Sequence, residues 1–173
     1  DAERTRRALE QETQRLEDVI RATGAGTWQW NVQTGETRFN PRWAEIVGYS
    51  LDELAPTSIS TWTDLVHPDD LARSEAALRA HFEGHSDTYS CEARMRHRDG
   101  HWVWVLDRGR VVEWDAHGQP LWMYGTHHDI TVERRADEAR ERRLEQLRKL
   151  TDQVPGAVYQ YQQWPDGHNA FPF

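Results

Sequence analysis

The sequence predicts an α+β domain in which short helices gather on one side of a five-stranded antiparallel sheet. Alternating apolar and polar residues at 27–39 and again at 89–128 indicate strands. The segment between them, 40–83, carries helix caps and helical spacing instead. Two strands, several short helices and a three-stranded meander, in this order, are typical of that class.

The first alternating run predicts a pair of strands. It places Trp28, Trp30 and Val32 on one face, and Thr34-Gly35-Glu36 has the composition of a tight turn. Because side chains alternate between the two faces of a strand, we expect these apolar residues to face the core.

Three short helices are expected next. Asn40-Pro41 joins a capping residue to a proline at the first helical position, and Gly48 ends that helix. A capping box over Ser50-Leu51-Asp52-Glu53 begins the second. The third is one helical turn from Trp62 to Val66.

A longer helix is predicted from Pro68 to about Glu83. Its first turn carries Asp69 and Asp70, and acidic residues are favoured at the positive end of a helix. Helical spacing assigns its buried side to Leu71, Leu78 and Phe82.

The meander follows from strict alternation and two turns. One face of its first strand consists of Tyr89, Cys91, Ala93 and Met95. Asp99-Gly100 is a strong hairpin signal, and the returning strand covers about 101–113. A turn at 115–118 leads to the last strand at 121–128.

Both flanks of the domain read as charged helices with a narrow apolar seam. The seam of the first helix comprises Leu9, Leu16 and Ile20, and that of the second includes Leu144 and Leu147. Such a seam is too narrow for a globular core and favours a two-helix coiled coil, hence a parallel homodimer. The 11-residue step from Ala136 to Leu147 is the spacing of a stutter. A solvated helix, or one packed on its own sheet, is the alternative.

Composition excludes several classes of function. The chain has 173 residues and a net charge of −8, which disfavours binding to nucleic acid. The apolar runs are only a few residues long, so we expect no membrane-spanning segment and no signal peptide in these residues. One cysteine excludes an intrachain disulfide and suits the cytoplasm. The first residue, Asp1, leads us to expect a piece of a longer protein.

Several motifs share one order along the chain. They are Gly26-Thr27-Trp28-Gln29-Trp30, Gly48-Tyr49-Ser50, His67-Pro68-Asp69-Asp70, the run from Asp99 to Val105, Arg108-Gly109, Gly118-Gln119-Pro120, Gly125 and Asp129-Ile130-Thr131. Together they resemble the PAS domain, with its C-terminal PAC motif, from about Gly26 to Thr131. The resemblance implies a sensory module of a bacterial signalling protein.

The resemblance also implies a domain organisation. We expect a linker helix at 1–23, a PAS domain at 24–131, a helical linker at 132–153, and the start of a second PAS domain at 154–173. Sensor arrays of this kind commonly end in a diguanylate cyclase or a histidine kinase. We expect the cyclase as the output domain, with the kinase as the alternative.

The expected signal-transfer site is Asp129-Ile130-Thr131, where the last strand becomes the outgoing helix. Asp129 can accept hydrogen bonds from the first amides of the helix or pair with an arginine. Either link would tie the strand to the helix, although a simple helix cap is the plainer interpretation.

A pocket for a ligand is considered next, with Trp30, His81, Tyr89, Cys91 and Trp104 as the residues that would line it. The resemblance implies that a haem-binding PAS domain would use a histidine of the long helix, where His81 lies. Flavin photoreceptors of the family use a cysteine in a helix, whereas Cys91 lies in a predicted strand. Neither His127-His128 nor His97 with His101 belongs to a zinc-spaced set, so no metal is expected. The large rings more simply fill the core, and we expect no cofactor.

Catalysis is not expected within these residues. The chain has no glycine-rich phosphate loop, no nucleophile elbow and no cyclase signature motif.

Overall fold

The computed structural model describes residues 2–152 and the backbone of 162–163 and 169–170. The chain divides into two compact units, Asp1–Val132 and Glu133–Phe173. The predicted start of a second PAS domain at 154–173 lies outside the described residues, apart from two short paired strands, β6 (Gln162–Gln163) and β7 (Asn169–Ala170). The division into four parts stays a prediction.

The first unit contains a five-stranded sheet, which confirms the predicted α+β class. Its strands are β1 (Gly26–Asn31), β2 (Thr37–Phe39), β3 (Tyr89–Arg96), β4 (Trp102–Trp114) and β5 (Pro120–Asp129). Their order across the sheet is β2-β1-β5-β4-β3, and every neighbouring pair is antiparallel. The first strand therefore enters beside the last one, and β5 lies at the centre of the sheet.

The described residues also form six helices: α1 (Ala2–Thr23), α2 (Pro41–Ile46), α3 (Leu51–Leu54), α4 (Ile59–Thr63), α5 (Pro68–Phe82) and α6 (Thr131–Asp152). The predicted caps at Asn40 and Ser50 are confirmed, each by a side-chain hydrogen bond to a helix amide. The predicted turn from Trp62 to Val66 is displaced, because Ser58 caps an earlier start at Ile59.

The long helix α5 faces the sheet differently from the prediction. Its fully buried side chains are Asp70, Ser74 and His81. The predicted set, Leu71, Leu78 and Phe82, is only partly buried at the edge of the core. Helical spacing alone missed this because each buried polar group has a partner on the sheet, described below.

The core is closed by large side chains from both layers. Trp43 and Val47 from the α2 region meet Met95, Val105 and Met123 from the sheet, and all are almost inaccessible to water. The alternating face predicted for β3, from Tyr89 to Met95, is confirmed as buried.

Trp28 owes its position to two glycines that pair across the sheet. Gly109 on β4 lies opposite Gly125 on β5, and Gly125 also pairs with Trp28 on β1. A Cβ atom at either glycine would overlap the indole of Trp28. Only glycine at both positions lets this ring lie across the strands, where it points at the polar cluster described below.

Among the described residues, no helix is long and apolar enough to cross a membrane.

Candidate functional site

The junction between β5 and α6 is fastened to the neighbouring strand β4. The N–H of Ile130 donates to the carbonyl of Trp104 at 2.9 Å. The N–H of Trp104 in turn donates to Oγ1 of Thr131 at 3.0 Å. Both backbone groups of one β4 residue are thus bonded to the first residues after β5.

Asp129 shapes the chain as it leaves the sheet. Its Oδ1 accepts a hydrogen bond from the N–H of Thr131 at 2.9 Å. An aspartate that bonds to an amide two residues ahead stabilises a turn, and its negative charge suits the start of a helix. Of the two links expected for Asp129, bonding to the first amides is therefore present. The role of residues 129–131 in signal transfer stays a prediction.

A buried polar cluster occupies the middle of the first unit, centred on Asp107 of β4. Asp107 accepts hydrogen bonds from Nε1 of Trp28 at 2.8 Å and from the hydroxyl of Tyr89 at 3.0 Å. The Tyr89 hydroxyl is also 2.7 Å from Oγ of Ser74 on α5. Nε2 of His127 lies 3.2 Å from the Asp107 carboxyl. A carboxyl group only 4% exposed requires such partners.

His127 is held in place by aromatic rings as well as by Asp107. Its imidazole lies 5.3 Å from the ring of Trp62 and 5.5 Å from that of Trp43. The cluster therefore joins β1, β3, β4, β5 and α5 through one carboxyl group. Because the members share hydrogen bonds, a substitution at any one of them should disturb the packing of all five elements.

Burial and the charge of Asp107 both raise the pKa of Tyr89 far above its ordinary value. The Tyr89 hydroxyl therefore keeps its proton at neutral pH, where it donates a hydrogen bond to Asp107.

A small cavity adjoins the cluster. Its volume is about 40 Å³, and a cavity needs roughly 10–15 Å³ to hold one water molecule. Its wall includes six large aromatic rings: Trp28, Trp30, Phe39, Trp43, Trp62 and Tyr89. Pockets that hold drug-sized ligands enclose roughly 300–1,000 Å³, so this cavity suits a few water molecules or a very small ligand.

The five residues weighed for a ligand pocket do not lie together. Trp30 and Tyr89 line the cavity, but His81, Cys91 and Trp104 are not among its lining residues. Trp104 is half-buried and carries the guanidinium of Arg94 over its ring at 5.4 Å. Two of the five predicted pocket residues thus line the cavity, and the other three lie elsewhere on α5 and the sheet.

Both ring nitrogens of His81 are engaged by the backbone. Nδ1 lies 2.8 Å from the carbonyl of Ser86, and Nε2 accepts the N–H of Val111 at 3.0 Å. This pattern requires the neutral tautomer with its proton on Nδ1. Binding of haem iron at His81 would break one of these bonds, so the residue serves to anchor the end of α5.

Cys91 is a buried thiol on β3. Its Sγ donates to the carbonyl of Glu92 at 3.6 Å. Burial raises the pKa of Cys91, which keeps the sulfur protonated and poorly nucleophilic.

A second buried carboxyl group joins α5 to β3. Asp70 accepts from the backbone N–H of Arg94 at 2.9 Å and from Nε and Nη2 of its side chain at 2.8 and 2.9 Å. Nη2 of Arg73 adds a contact of 2.8 Å. Burial opposes ionisation, but the hydrogen bonds and charge of Arg94, with help from Arg73, lower the pKa of Asp70 to about 2.

Sequence reasoning missed Asp70, Ser74, Asp107 and His127. A signal was available for Asp107, since it takes an inward position on β4 between Val105 and Val111, where apolar residues are expected. Inward carboxyl groups are rare unless paired. The partners themselves come from other elements and carry no local signal.

Comparisons with known proteins agree with this fold. A family model described as the PAS fold matches residues 36–127, more than half of the chain. A solved sensory box histidine kinase/response regulator from Burkholderia thailandensis E264 is 37% identical, with a TM-score of 0.68, over 78% of this chain and 98% of that one.

Two further relatives are diguanylate cyclases by name. The N-terminal domain of a diguanylate cyclase with PAS/PAC sensor from Marinobacter aquaeolei is 27% identical, with a TM-score of 0.54, over 64% of this chain and 98% of that one. The probable diguanylate cyclase DgcE of Escherichia coli (strain K12) is 28% identical over 108 residues, which are 62% of this chain but 9% of that protein. The chain belongs to the PAS family, as a sensory domain that resembles those of histidine kinase and diguanylate cyclase proteins.

Proposed function

We propose that this chain is a non-catalytic, cytoplasmic regulatory module that dimerises through its flanking helices. It relays a signal through Asp129-Ile130-Thr131 to an output domain beyond the chain. The observation that carries the proposal is the double bonding of Trp104 to Ile130 and Thr131. A shift of β4 changes these two bonds directly, and they hold the first residue of α6.

The flanking helices support dimerisation because their apolar seams are exposed. Leu9 and Leu16 on α1 are 67% and 53% exposed, and no residue of α1 is buried. Leu144 and Leu147 on α6 are 50% and 54% exposed, and no residue of α6 is buried either. A row of leucines that its own unit leaves uncovered favours a partner helix.

The output domain we propose is a diguanylate cyclase, after two of the relatives named above. A sensor histidine kinase is the alternative, favoured by the higher identity of the Burkholderia protein. The full-length protein distinguishes them: a cyclase forms a cyclic dinucleotide from GTP, whereas a kinase phosphorylates its own histidine with ATP. Absence of both activities would refute this part of the proposal.

A receptor for a small ligand is the second candidate, and one observation favours it. Within the described residues, three buried polar atoms on the cavity wall have no hydrogen-bond partner: Nε1 of Trp30, Oγ1 of Thr37 and Nε1 of Trp43. They would suit a very small ligand with hydrogen-bond acceptors. The volume argues against haem, flavin or any larger organic molecule.

An absorbance spectrum combined with light scattering tests the relay against a receptor for haem or flavin. The relay predicts a dimer mass and no visible absorption band. A haem or flavin band would refute the relay as stated and would show that the cavity opens well beyond its present volume.

The relay itself is tested in the full-length protein. Thr131→Val removes the acceptor for Trp104, and Thr131→Ser keeps it. We expect the valine variant to lose control of the output activity by stimulus while the serine variant retains it. Equal regulation in both variants would refute transfer through this bond.

A further inference from the structure

The turn between β3 and β4 brings three metal-binding side chains together. His97, Asp99 and His101 each offer a ligand atom, and these atoms all lie within 4.8 Å of one another. The two imidazole rings stack with centroids 4.3 Å apart. Nδ1 of His97 is 3.3 Å from a carboxylate oxygen of Asp99.

The backbone of this turn is tightly bonded, which fixes the backbone positions of the three residues. The N–H of His97 donates to the carbonyl of His101 at 2.9 Å, and the N–H of Gly100 donates to the carbonyl of His97 at 2.8 Å. Gly100 has a φ of 91°, a conformation that favours glycine. Nδ1 of His97 also accepts the N–H of Asp99 at 3.2 Å. An ion bound there would replace this hydrogen bond, on a backbone that is already ordered.

Packing from the α2–α3 connection fixes His97 further. A Cβ atom at Gly48 would collide with the imidazole of His97, so this ring lies directly against the glycine. The neighbouring cation, Arg98, is engaged elsewhere: it donates to the carbonyl of Gly48 at 3.1 Å and contacts Glu53 at 3.3 Å. Its charge is thus partly neutralised beside the cluster.

We propose that His97, Asp99 and His101 bind a divalent transition-metal ion, with Zn²⁺ as the expected ion and water completing its coordination. Zinc takes histidine nitrogen and carboxylate oxygen at about 2.0–2.2 Å, which places ligand atoms roughly 3.3 Å apart. Asp99 and His101 are exposed and reach that spacing by side-chain rotation. Ni²⁺ and Cu²⁺ suit the same ligands.

The proposal revises an expectation drawn from sequence spacing. Sequence spacing alone does not place a third zinc ligand beside His97 and His101. The turn supplies that ligand, since it carries Asp99 to the same end of the hairpin. An open site with three protein ligands is typical of zinc that keeps a water-filled position.

Calorimetric titration of ZnCl₂ into the whole chain, without a histidine tag and near neutral pH, tests the proposal. We expect one zinc ion per chain in the micromolar range. Asp99→Asn and His101→Ala should each weaken binding by at least about tenfold. His117→Ala, which removes an exposed histidine from the β4–β5 turn, should leave the affinity unchanged.

Zinc binding only at millimolar concentration, or binding by the site variants that is as strong as binding by the unaltered chain, would overturn the proposal. A measurement on the unaltered chain removes any dependence on how the variants fold. In NMR spectra, Zn²⁺ should shift the imidazole signals of His97 and His101 before those of the other histidines. Shifts that appear first at another histidine would overturn the proposal as well.

Discussion

Thr131 and Trp104 are joined by a hydrogen bond of 3.0 Å from the Trp104 N–H to the Thr131 hydroxyl. Trp104 lies near the start of β4, where it pairs with Arg94 of β3 on its other side. The first residues of the outgoing helix are therefore bonded to a strand that is paired on both edges. Such a strand moves only with the sheet, which is what a relay from the sheet to the helix requires.

Replacing Thr131 by valine should destabilise the fold without changing its shape. Valine keeps the branched side chain but removes the acceptor, so the partly buried N–H of Trp104 loses its partner. We expect the free energy of unfolding to fall by about 1–2 kcal/mol, measured by urea denaturation. Thr131→Ser should lose less than half as much, and equal losses would indicate that packing rather than the bond matters.

Removal of the Asp107 side chain should be among the most damaging single changes in the first unit. Asp107→Ala leaves the buried Nε1 of Trp28 without an acceptor and removes one of the two partners of the Tyr89 hydroxyl, which keeps Ser74. We expect a loss of about 2–5 kcal/mol in urea denaturation. Asp87→Ala, at an exposed position, is the matched control and should change stability by less than about 0.5 kcal/mol.

Acid should remove the contribution of Asp70 to stability. Its pKa is lowered in the folded chain, from an ordinary 3.8 to about 2. A lowered pKa stabilises the fold above the unfolded value, and this contribution disappears as pH falls from near 4 through about 2. The gain amounts to about 2 kcal/mol at neutral pH.

Comparison with Asp70→Asn isolates this effect from the other carboxyl groups. The variant lacks the charge at every pH, so the gap in unfolding free energy between wild type and variant should narrow as pH falls below 4. Urea denaturation at a series of pH values measures the gap. A gap that stays constant down to pH 2 would contradict the ion pair with Arg94 as its source.

Charge placed in the seam of α1 should break the dimer. Leu16→Asp puts a carboxylate where the proposed partner helix packs, and light scattering should report a monomer mass. Gln11→Asp adds the same charge on the opposite face of the helix and should leave a dimer. A dimer in both variants would place the interface elsewhere.

Local patterns predicted the fold in most of its parts. The strict alternation of β3 and the caps at Asn40 and Ser50 each depend on neighbours within a few residues, and both are confirmed. The helical turn near Trp62 was displaced because the helix is capped at Ser58 and begins at Ile59.

The candidate sites also differ in whether their residues are near or distant in sequence. Asp129-Ile130-Thr131 could be found from sequence because a cap and a motif both lie within three residues. His81 could be placed on a helix, but its role could not be predicted. Ser86 is a local partner, whereas Val111 becomes a neighbour of His81 only when α5 packs on the sheet. The hairpin signal at Asp99-Gly100 was clear, yet the meeting of His97, Asp99 and His101 depends on how that turn closes.

Alternation, caps and turn residues therefore settled the fold class, the order of elements and the strand-to-helix junction, because each acts between residues that are near in sequence. Folding alone decided where the polar groups go. Asp107 meets Trp28 across 79 residues, and Asp70 meets Arg94 across 24. Burial makes these partners obligatory, since an unpaired carboxyl group in the core costs more free energy than the fold can spare.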